Sequence, residues 1–277
     1  MKTQMYYYIP YDLELAEILN RYSHSYNHVT EFVKYGYEPM LQFYVNKEDE
    51  VWNEIKDKLP REDVHRLVFT DHELSSAKWL TVRSTNMKID SEGDNTFSYV
   101  CPGVIYPPYL TKYHTTQVGK YEFKPVKWKN NNHFYSTYLM GFETIFCDDF
   151  AKNFFEQNGF DEVSFEDVIW YKKGCVLPDA HQIIFGKQLP KEAIVLDDHV
   201  REIVCPGCGK IQYFFTNDFR LGIKEEYLDE SKDAYTTPAM FGEVTLHSLN
   251  IVSGRVYKAL KEAKMIRNLR FEPVVLY

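Results

Sequence analysis

Two short stretches hold the residues whose types and spacing most readily suggest chemistry. The first, "VCPGCGK" at 204–210, separates Cys205 from Cys208 by two residues. Its flanks, "REIV" and "KIQYFF", are typical of strands rather than of the helix that lowers the thiol pKa in thioredoxin-type motifs. The pattern therefore predicts a zinc knuckle, in which a tight turn directs two thiolates at one metal ion.

The second stretch, "VCPGV" at 100–104, begins in the same way but has Val104 where the second thiol would lie. A structural zinc site needs four ligands in a tetrahedral arrangement. Cys101 becomes the third ligand if the two stretches face each other, and the further candidates are Cys175, His181 and His199. Two outcomes stay open: one structural zinc ion held by Cys205, Cys208 and Cys101, or a turn that keeps its geometry without metal.

An acidic run, "EEYLDESKD" at 225–233, carries five acidic residues against one lysine. The whole chain has a net charge of −8 and a pI near 5.6. Proteins that bind a phosphate backbone need a basic face, so the charge disfavours nucleic acid and favours a basic protein partner. The predicted contact residues for that partner are Glu225, Glu226, Asp229 and Glu230.

Enzyme chemistry has a weaker basis in the sequence. No glycine-rich phosphate loop, nucleophile elbow, HExxH motif or aspartate-rich metal loop occurs. A basic and aromatic segment, "KYHTTQVGKYEFKPVKWKNNNHFY", contains His114 and His133 and could line a pocket for an acidic ligand. Cys147 aligns with Ser253 in the repeat described next, which favours a shared capping role over a reactive thiol.

The elements that position these residues belong to an internal repeat. The segments 145–171 and 251–277 align without gaps, and identical residues recur 106 positions apart, as Ile145 and Ile251 do. Cys101 and Cys205 lie 104 positions apart, so the two "CPG" stretches occupy nearly equivalent points of the copies. Two features with nearly the same offset indicate a duplication.

Each copy predicts a helix followed by a strand. In the first copy, Asp148 and Asp149 are suited to begin the helix, which runs to about Gln157, and Gly159 to end it in a left-handed C-cap. In the second copy, Ser253 is the expected cap, and Pro273 is compatible with an edge strand or bulge. Before both copies, 41–46, 47–59 and 65–70 read as a strand, an amphipathic helix and a strand.

Length and composition limit the class of protein to which this chain can belong. The chain has 277 residues, of which 44% are hydrophobic and 16% aromatic, enough for a substantial core and typical of a protein with sheets. The N-terminal segment lacks the apolar core of a signal peptide, and no run has the length of a membrane span. Five scattered cysteines suggest reduced thiols, so we expect a cytoplasmic location and no membrane partner.

The stretch "CPGCGK", followed by "IVSGRVYKALKEAKMIRNLRFEPV", resembles the double-CXXCG-motif family of bacterial proteins. The likeness covers mainly 204–277, and the first copy departs from the family pattern at Val104. Members of that family and related proteins are regarded as immunity proteins that neutralise a toxin. The resemblance implies that Cys205 and Cys208 are metal ligands and that the partner is a toxin.

The sequence thus predicts an α+β protein with an N-terminal strand–helix–strand segment (1–78) and two related strand-rich halves (79–174 and 175–277), each ending in a helix–strand unit. The expected function is non-catalytic protein binding, with immunity to a bacterial toxin as its specific form. The alternatives are an enzyme with a pocket near His114 and His133, and a nucleic-acid-binding zinc ribbon.

Overall fold

The computed structural model describes residues 1–30, 33, 38–59, 64–89, 97–99, 115–117, 119–128, 131–137, 144–197, 200–204, 211–215, 219–241 and 247–277. These form two compact units, Met1–Thr70 and Asp71–Tyr277, which we call the N-terminal and the C-terminal unit. Helices and strands are mixed in both units, so the predicted α+β class is confirmed.

The N-terminal unit is a four-stranded antiparallel sheet with two helices. Its elements are β1 (Lys2–Pro10), α1 (Leu13–Arg21), β2 (Tyr26–Val29), β3 (Met40–Asn46), α2 (Glu50–Ile55) and β4 (Val64–Val68). The strand order is β2-β3-β1-β4, which with these connections is the ferredoxin-like, split β-α-β topology. The predicted strand–helix–strand segment is confirmed as β3-α2-β4, and β1-α1-β2 precedes it.

Buried and more exposed residues alternate along the strands, and the buried ones form the core of this unit. Met5, Tyr7 and Ile9 of β1 are buried, together with every second residue of β3. These side chains pack with the apolar face of α1 and with Val51 and Ile55 of α2. Asp12 begins α1, because its carboxylate Oδ1 accepts a hydrogen bond from the Leu15 amide at 3.0 Å.

The C-terminal unit contains the two halves of the repeat. The first half comprises α3 (Asp71–Ser76), β5 (Trp79–Ser84), β6 (Met87–Ile89), β7 (Phe97–Tyr99), β8 (Thr115–Gln117), β9 (Glu122–Phe123), β10 (Phe134–Thr137), β11 (Ile145–Cys147), α4 (Asp149–Gln157) and β12 (Val163–Trp170). The sequence placed 71–78 with the N-terminal segment, whereas in the structure α3 packs against the last helix of the chain and so belongs to this unit.

The second half spans residues 175–277. It comprises β13 (Cys175–Phe185), β14 (Lys187–Gln188), β15 (Ile194–Val195), β16 (Val200–Val204), β17 (Ile211–Phe215), β18 (Gly222–Ile223), β19 (Ala234–Thr236), β20 (Asn250–Ser253), α5 (Gly254–Glu262), β21 (Leu269–Pro273) and β22 (Val275–Leu276). Short 3-10 segments occupy Lys56–Lys58, Lys191–Ala193 and Glu225–Tyr227. Pro273 ends β21, the edge strand of its sheet, as predicted.

The two halves build sheets with the same strand order. The first sheet runs β6-β10-β11-β13-β12-β9, and the second runs β14-β19-β20-β5-β21. Beyond β21, β22 pairs in parallel with β18, as β12 pairs in parallel with β9. In both sheets the strand before the helix and the strand after it flank one antiparallel central strand. The related halves and their terminal helix–strand units are therefore confirmed.

The central strands are exchanged between the halves. β13, the first strand of the second half, is the centre of the first sheet, where His181 lies opposite Cys147. β5, the first strand of the first half, is the centre of the second sheet, where Leu80 lies opposite Val252. Each half therefore completes the sheet of the other half, and one hydrophobic cluster contains buried residues of both, including Phe155 and Leu260.

A glycine makes one of the two crossovers possible. Gly186 joins β13 to β14 and has a φ of 52°, in the left-handed region that glycine adopts without strain. A Cβ atom at this position would lie 1.9 Å from the backbone oxygen of Ala234 on β19. The strand leaves one sheet and enters the other at this point, and only a residue without a side chain fits there.

The helices of the two copies align at an offset of 105 positions rather than 106. Asp148 caps α4 and Ser253 caps α5, each through a hydrogen bond from the amide three residues later. The capping role expected for Cys147 is therefore wrong. Cys147 is the last residue of β11 and fully buried, and burial raises the pKa of its thiol well above the ordinary value.

Candidate functional site

The acidic run forms an exposed loop on the second half. Glu225 and Glu226 lie in a 3-10 turn between β18 and β19, and Asp229 and Glu230 follow it. All four side chains are exposed. We call Glu225–Glu230 the acidic loop.

The acidic loop is held by its own backbone and by one apolar anchor. The Glu225 amide donates to the carbonyl oxygen of Tyr277 at 3.0 Å, and the Asp229 amide donates to the Tyr235 hydroxyl at 2.9 Å. Between them, Leu228 is buried in the apolar cluster of the second half. The acidic side chains therefore project from a fixed backbone, which lowers the entropy that binding would cost.

Two of the four carboxylates share one lysine. Lys78 Nζ lies 2.8 Å from Glu225 Oε1 and 2.9 Å from Glu230 Oε1. Hydrogen bonds to Glu225 and then to Glu230 raise the pKa of Lys78 well above its ordinary value. Asp229 accepts a hydrogen bond from the Ser231 amide at 2.9 Å, which lowers the pKa of this carboxyl. Of the four carboxylates of the loop, that of Glu226 is therefore the least involved in these contacts.

A pocket opens beside the acidic loop. It has a volume of about 310 Å³, and Lys78, Glu230, Asp233 and Arg255 are among its lining residues. Asp233 is buried and accepts hydrogen bonds from Ser253 Oγ at 2.7 Å and from Arg255 Nε at 2.9 Å. Contact with Asp233 raises the pKa of the Arg255 guanidinium. Both acidic residues that line the pocket are thus paired, Asp233 with Arg255 and Glu230 with Lys78.

Two histidine–aspartate pairs at the start of α4 were not predicted. His133 Nδ1 lies 2.8 Å from Asp148 Oδ2, and His181 Nε2 lies 2.7 Å from Asp149 Oδ1. The equivalent pair in the second half is Asp233 with Ser253, and Leu80 takes the place of His181. No sequence signal joined these pairs, because the aspartates lie at the start of α4 and the two histidines lie 15 and 32 residues away in the chain, before β10 and on β13.

Several residues that the sequence analysis assigned to a site lie outside the residues that the structure describes. Cys101, Cys205 and Cys208 lie outside them, as do His114 and His199. The strands that flank Cys205 and Cys208 are present as predicted, since β16 and β17 form an antiparallel hairpin. Among the described residues, no three His, Cys, Asp or Glu side chains are grouped so that they could hold a metal ion. The zinc ion stays a prediction, which elemental analysis of protein purified without chelator would test.

Comparisons of this chain with protein-family models, with curated proteins and with solved structures find no significant match. Within the described part of the chain, no helix is both long enough and apolar enough to cross a membrane.

Proposed function

We propose that this protein binds another protein without chemical turnover, and that its partner is a basic bacterial toxin which it neutralises in the cytoplasm. The observation that carries the proposal is the acidic loop, which presents Glu225, Glu226, Asp229 and Glu230 from a backbone fixed at both ends. The resemblance of 204–277 to a family of immunity proteins supports the same role.

Electrostatics gives this loop a definite effect on binding. A toxin that acts on nucleic acid carries a basic surface, and the chain as a whole carries a net charge of −8. Complementary potentials raise the association rate more than they raise the affinity, and salt screens the effect. The loop should therefore act mainly on how fast the two proteins meet.

The partner can be found by a growth assay. Each protein encoded beside this chain's gene is expressed alone and together with the chain. The expected result is that one of them inhibits growth and that co-expression of this chain restores it. Failure of the chain to restore growth against every neighbouring product would overturn the proposal, and so would turnover of a substrate by the purified chain.

The contribution of the loop is then measured on the purified pair. One variant replaces three glutamates of the loop by Gln: Glu225, Glu226 and Glu230. This removes three negative charges but keeps the side-chain shape and an acceptor for Lys78. We expect the association rate at low ionic strength to fall at least about threefold and its salt dependence to weaken. The matched control replaces three exposed glutamates elsewhere, Glu17, Glu156 and Glu262, and should leave the rate nearly unchanged. If both variants changed the association rate equally, the loop would not be part of the interface.

A further inference from the structure

The first sheet of the C-terminal unit has a free edge along most of β12. Only the end of this strand is covered, where the amides of Ile169 and Tyr171 donate to the carbonyl oxygens of Tyr121 and Phe123 beside β9, at 2.8 and 3.2 Å. Over 163–168, none of the strands that the structure describes pairs with this side of β12. We call 163–168 the open edge.

The backbone groups along the open edge point alternately to its two sides. The Glu162 carbonyl accepts the Gly186 amide at 2.8 Å, toward β13, whereas the Ile169 amide points toward β9. Successive residues of a strand direct their N–H and C=O groups to opposite sides. Phe165 and Asp167 therefore direct theirs away from β13, and no described residue forms a hydrogen bond with these four groups.

The equivalent edge in the second half is closed. The repeat places Pro273 of β21 where the first half has Asp167, 106 positions earlier. Proline has no N–H, and Arg220 Nη2 donates to the Pro273 carbonyl oxygen at 3.2 Å. Lys120 occupies the place of Arg220 in the first half, but its Nζ donates to the Asp167 carboxylate at 2.7 Å. Proline and a covering side chain protect a sheet edge, and Asp167 has neither protection.

A groove runs beside the open edge. It has a volume of about 540 Å³, and its lining includes three residues of β12 and three of the segment from β8 to β9: Phe165, Glu166, Asp167, Gln117, Gly119 and Lys120. The side opposite β12 is fixed, because the side-chain amides of Gln117 and Gln182 donate to each other at 2.8 Å. Pockets of about 300–1,000 Å³ hold drug-sized ligands, so the groove has room for a few residues of extended chain.

The charges of the groove favour a basic occupant. Lys120 and Asp167 form an ion pair with each other, whereas Glu166 is exposed and forms no ion pair with any described residue. On an added strand, the residue opposite Glu166 would have its Cβ atom about 5 Å away, and opposite charges at such positions stabilise strand pairing. The occupant that fits is an extended peptide segment with Lys or Arg at this position.

We propose that the open edge binds an extended segment of another protein by β-strand addition, with a Lys or Arg side chain of that segment opposite Glu166. The backbone groups of Phe165 and Asp167 supply the hydrogen bonds, and Glu166 supplies the preference for a basic side chain. The inference does not rest on the acidic loop, which belongs to the second half, so either proposal can fail while the other holds.

The probe is a synthetic nine-residue peptide that alternates Thr and Val around a central Lys, with blocked termini and a fluorescent label. Fluorescence anisotropy with the full chain should show saturable binding. Replacement of the central Lys by Glu should weaken binding about threefold. Methylation of one alternate set of peptide amides should abolish binding and methylation of the other set should not, because only one side of an added strand faces β12.

Asp167→Pro introduces the residue that the second half has at this position. It removes one donor of the open edge and should weaken binding at least about tenfold, with an unchanged circular dichroism spectrum. Asp167→Ala is the matched control: it also loses the contact with Lys120 but keeps the amide, so binding should change less than about threefold. Glu166→Lys is a second variant in case proline disturbs the fold, and it should reverse the preference between the Lys and Glu peptides.

The proposal is overturned if the Lys peptide does not bind at up to about 1 mM, or if both Asp167→Pro and Glu166→Lys leave its binding unchanged. Equal loss of binding with the two methylated peptides would also overturn it, because an added strand uses only one set of amides. The other occupant of a free edge is a second copy of this chain. A wild-type dimer in sedimentation velocity that Asp167→Pro converts to a monomer would identify that occupant and overturn the peptide proposal.

Discussion

At the scale of single residues, Glu162 is a point where the two halves of the C-terminal unit are joined. Its carboxylate Oε2 accepts the Asp233 amide at 3.0 Å, and Oε1 lies 2.9 Å from Lys232 Nζ. Burial alone would raise the pKa of Glu162, but the hydrogen bonds from Lys232 and from the Asp233 backbone outweigh it and lower the pKa. The ionised form is therefore favoured in the folded protein.

We expect Glu162→Gln to lower the free energy of unfolding by about 1 kcal/mol at neutral pH. Because the pKa is lower in the folded state, the charged form stabilises the protein above the unfolded pKa of about 4.5, and this contribution is lost as the pH falls through the folded pKa. Urea titrations of both proteins at neutral pH and near pH 3 measure the difference, which should shrink in acid. Glu156→Gln, at an exposed position of α4, is the control. A difference that does not change with pH would contradict this assignment.

At the scale of elements, α4 and α5 end in the same C-cap with different residues. The Phe160 and Met265 amides donate to the carbonyl oxygens of Phe155 and Leu260, five residues earlier, as in a Schellman motif. The residue before each is left-handed: Gly159 has a φ of 66° and Lys264 has a φ of 58°. The second copy therefore bears a strain that the first copy avoids.

Lys264→Gly should stabilise the protein by about 1 kcal/mol, because glycine adopts the left-handed conformation without a steric penalty. Lys258→Gly is the matched control: it makes the same chemical change inside α5 and should destabilise the protein by about 1 kcal/mol. The midpoints of chemical denaturation measure both. If the two variants shift the midpoint in the same direction, the backbone conformation at Lys264 is not as described.

The reverse change tests the first copy. Gly159 has no atom within 4 Å of a Cβ built on it, so Gly159→Ala adds conformational strain without a clash. We expect a loss of about 1 kcal/mol, which would show that both C-caps depend on the same left-handed residue.

At the scale of the whole molecule, the exchanged central strands make the two halves of the C-terminal unit interdependent. Removing the second half would take β13 out of the first sheet and leave β11 and β12 without their common neighbour. The same loss would expose the apolar cluster that both halves share. Neither half therefore has a complete core by itself.

This arrangement predicts how a cleaved chain behaves. A protease site inserted in the exposed turn at 171–174, between β12 and β13, is cut after the full chain has folded. The two pieces should stay together in native buffer and separate in denaturant. The N-terminal unit has its own core and should refold within the first piece alone, whereas the C-terminal unit should refold only when the pieces are mixed. Size-exclusion chromatography with circular dichroism follows each step, and the uncut insertion variant is the control. Pieces that separate and stay folded in native buffer would refute the exchange.

The sequence by itself determined the features that depend on neighbouring residues. Helices α4 and α5, the Asp148 and Ser253 caps and the Gly159 C-cap were predicted correctly, because capping bonds span only a few positions. The repeat was also visible, since both copies retain the same apolar spacing. In contrast, β1 escaped prediction because its "MYYYIP" segment has aromatic residues on both faces, which hides the alternation.

The tertiary structure alone decided which segments meet. β5 and β13 are equivalent strands, and nothing local assigns either to one sheet; the choice depends on pairings with strands far away in the chain. In the same way, the sequence supplied the charges of the acidic loop, but only the fold brought Lys78 between Glu225 and Glu230. Local hydrogen bonds and side-chain periodicity can be inferred from neighbouring residues, whereas strand exchange and ion pairing depend on contacts that exist only once the chain has closed on itself.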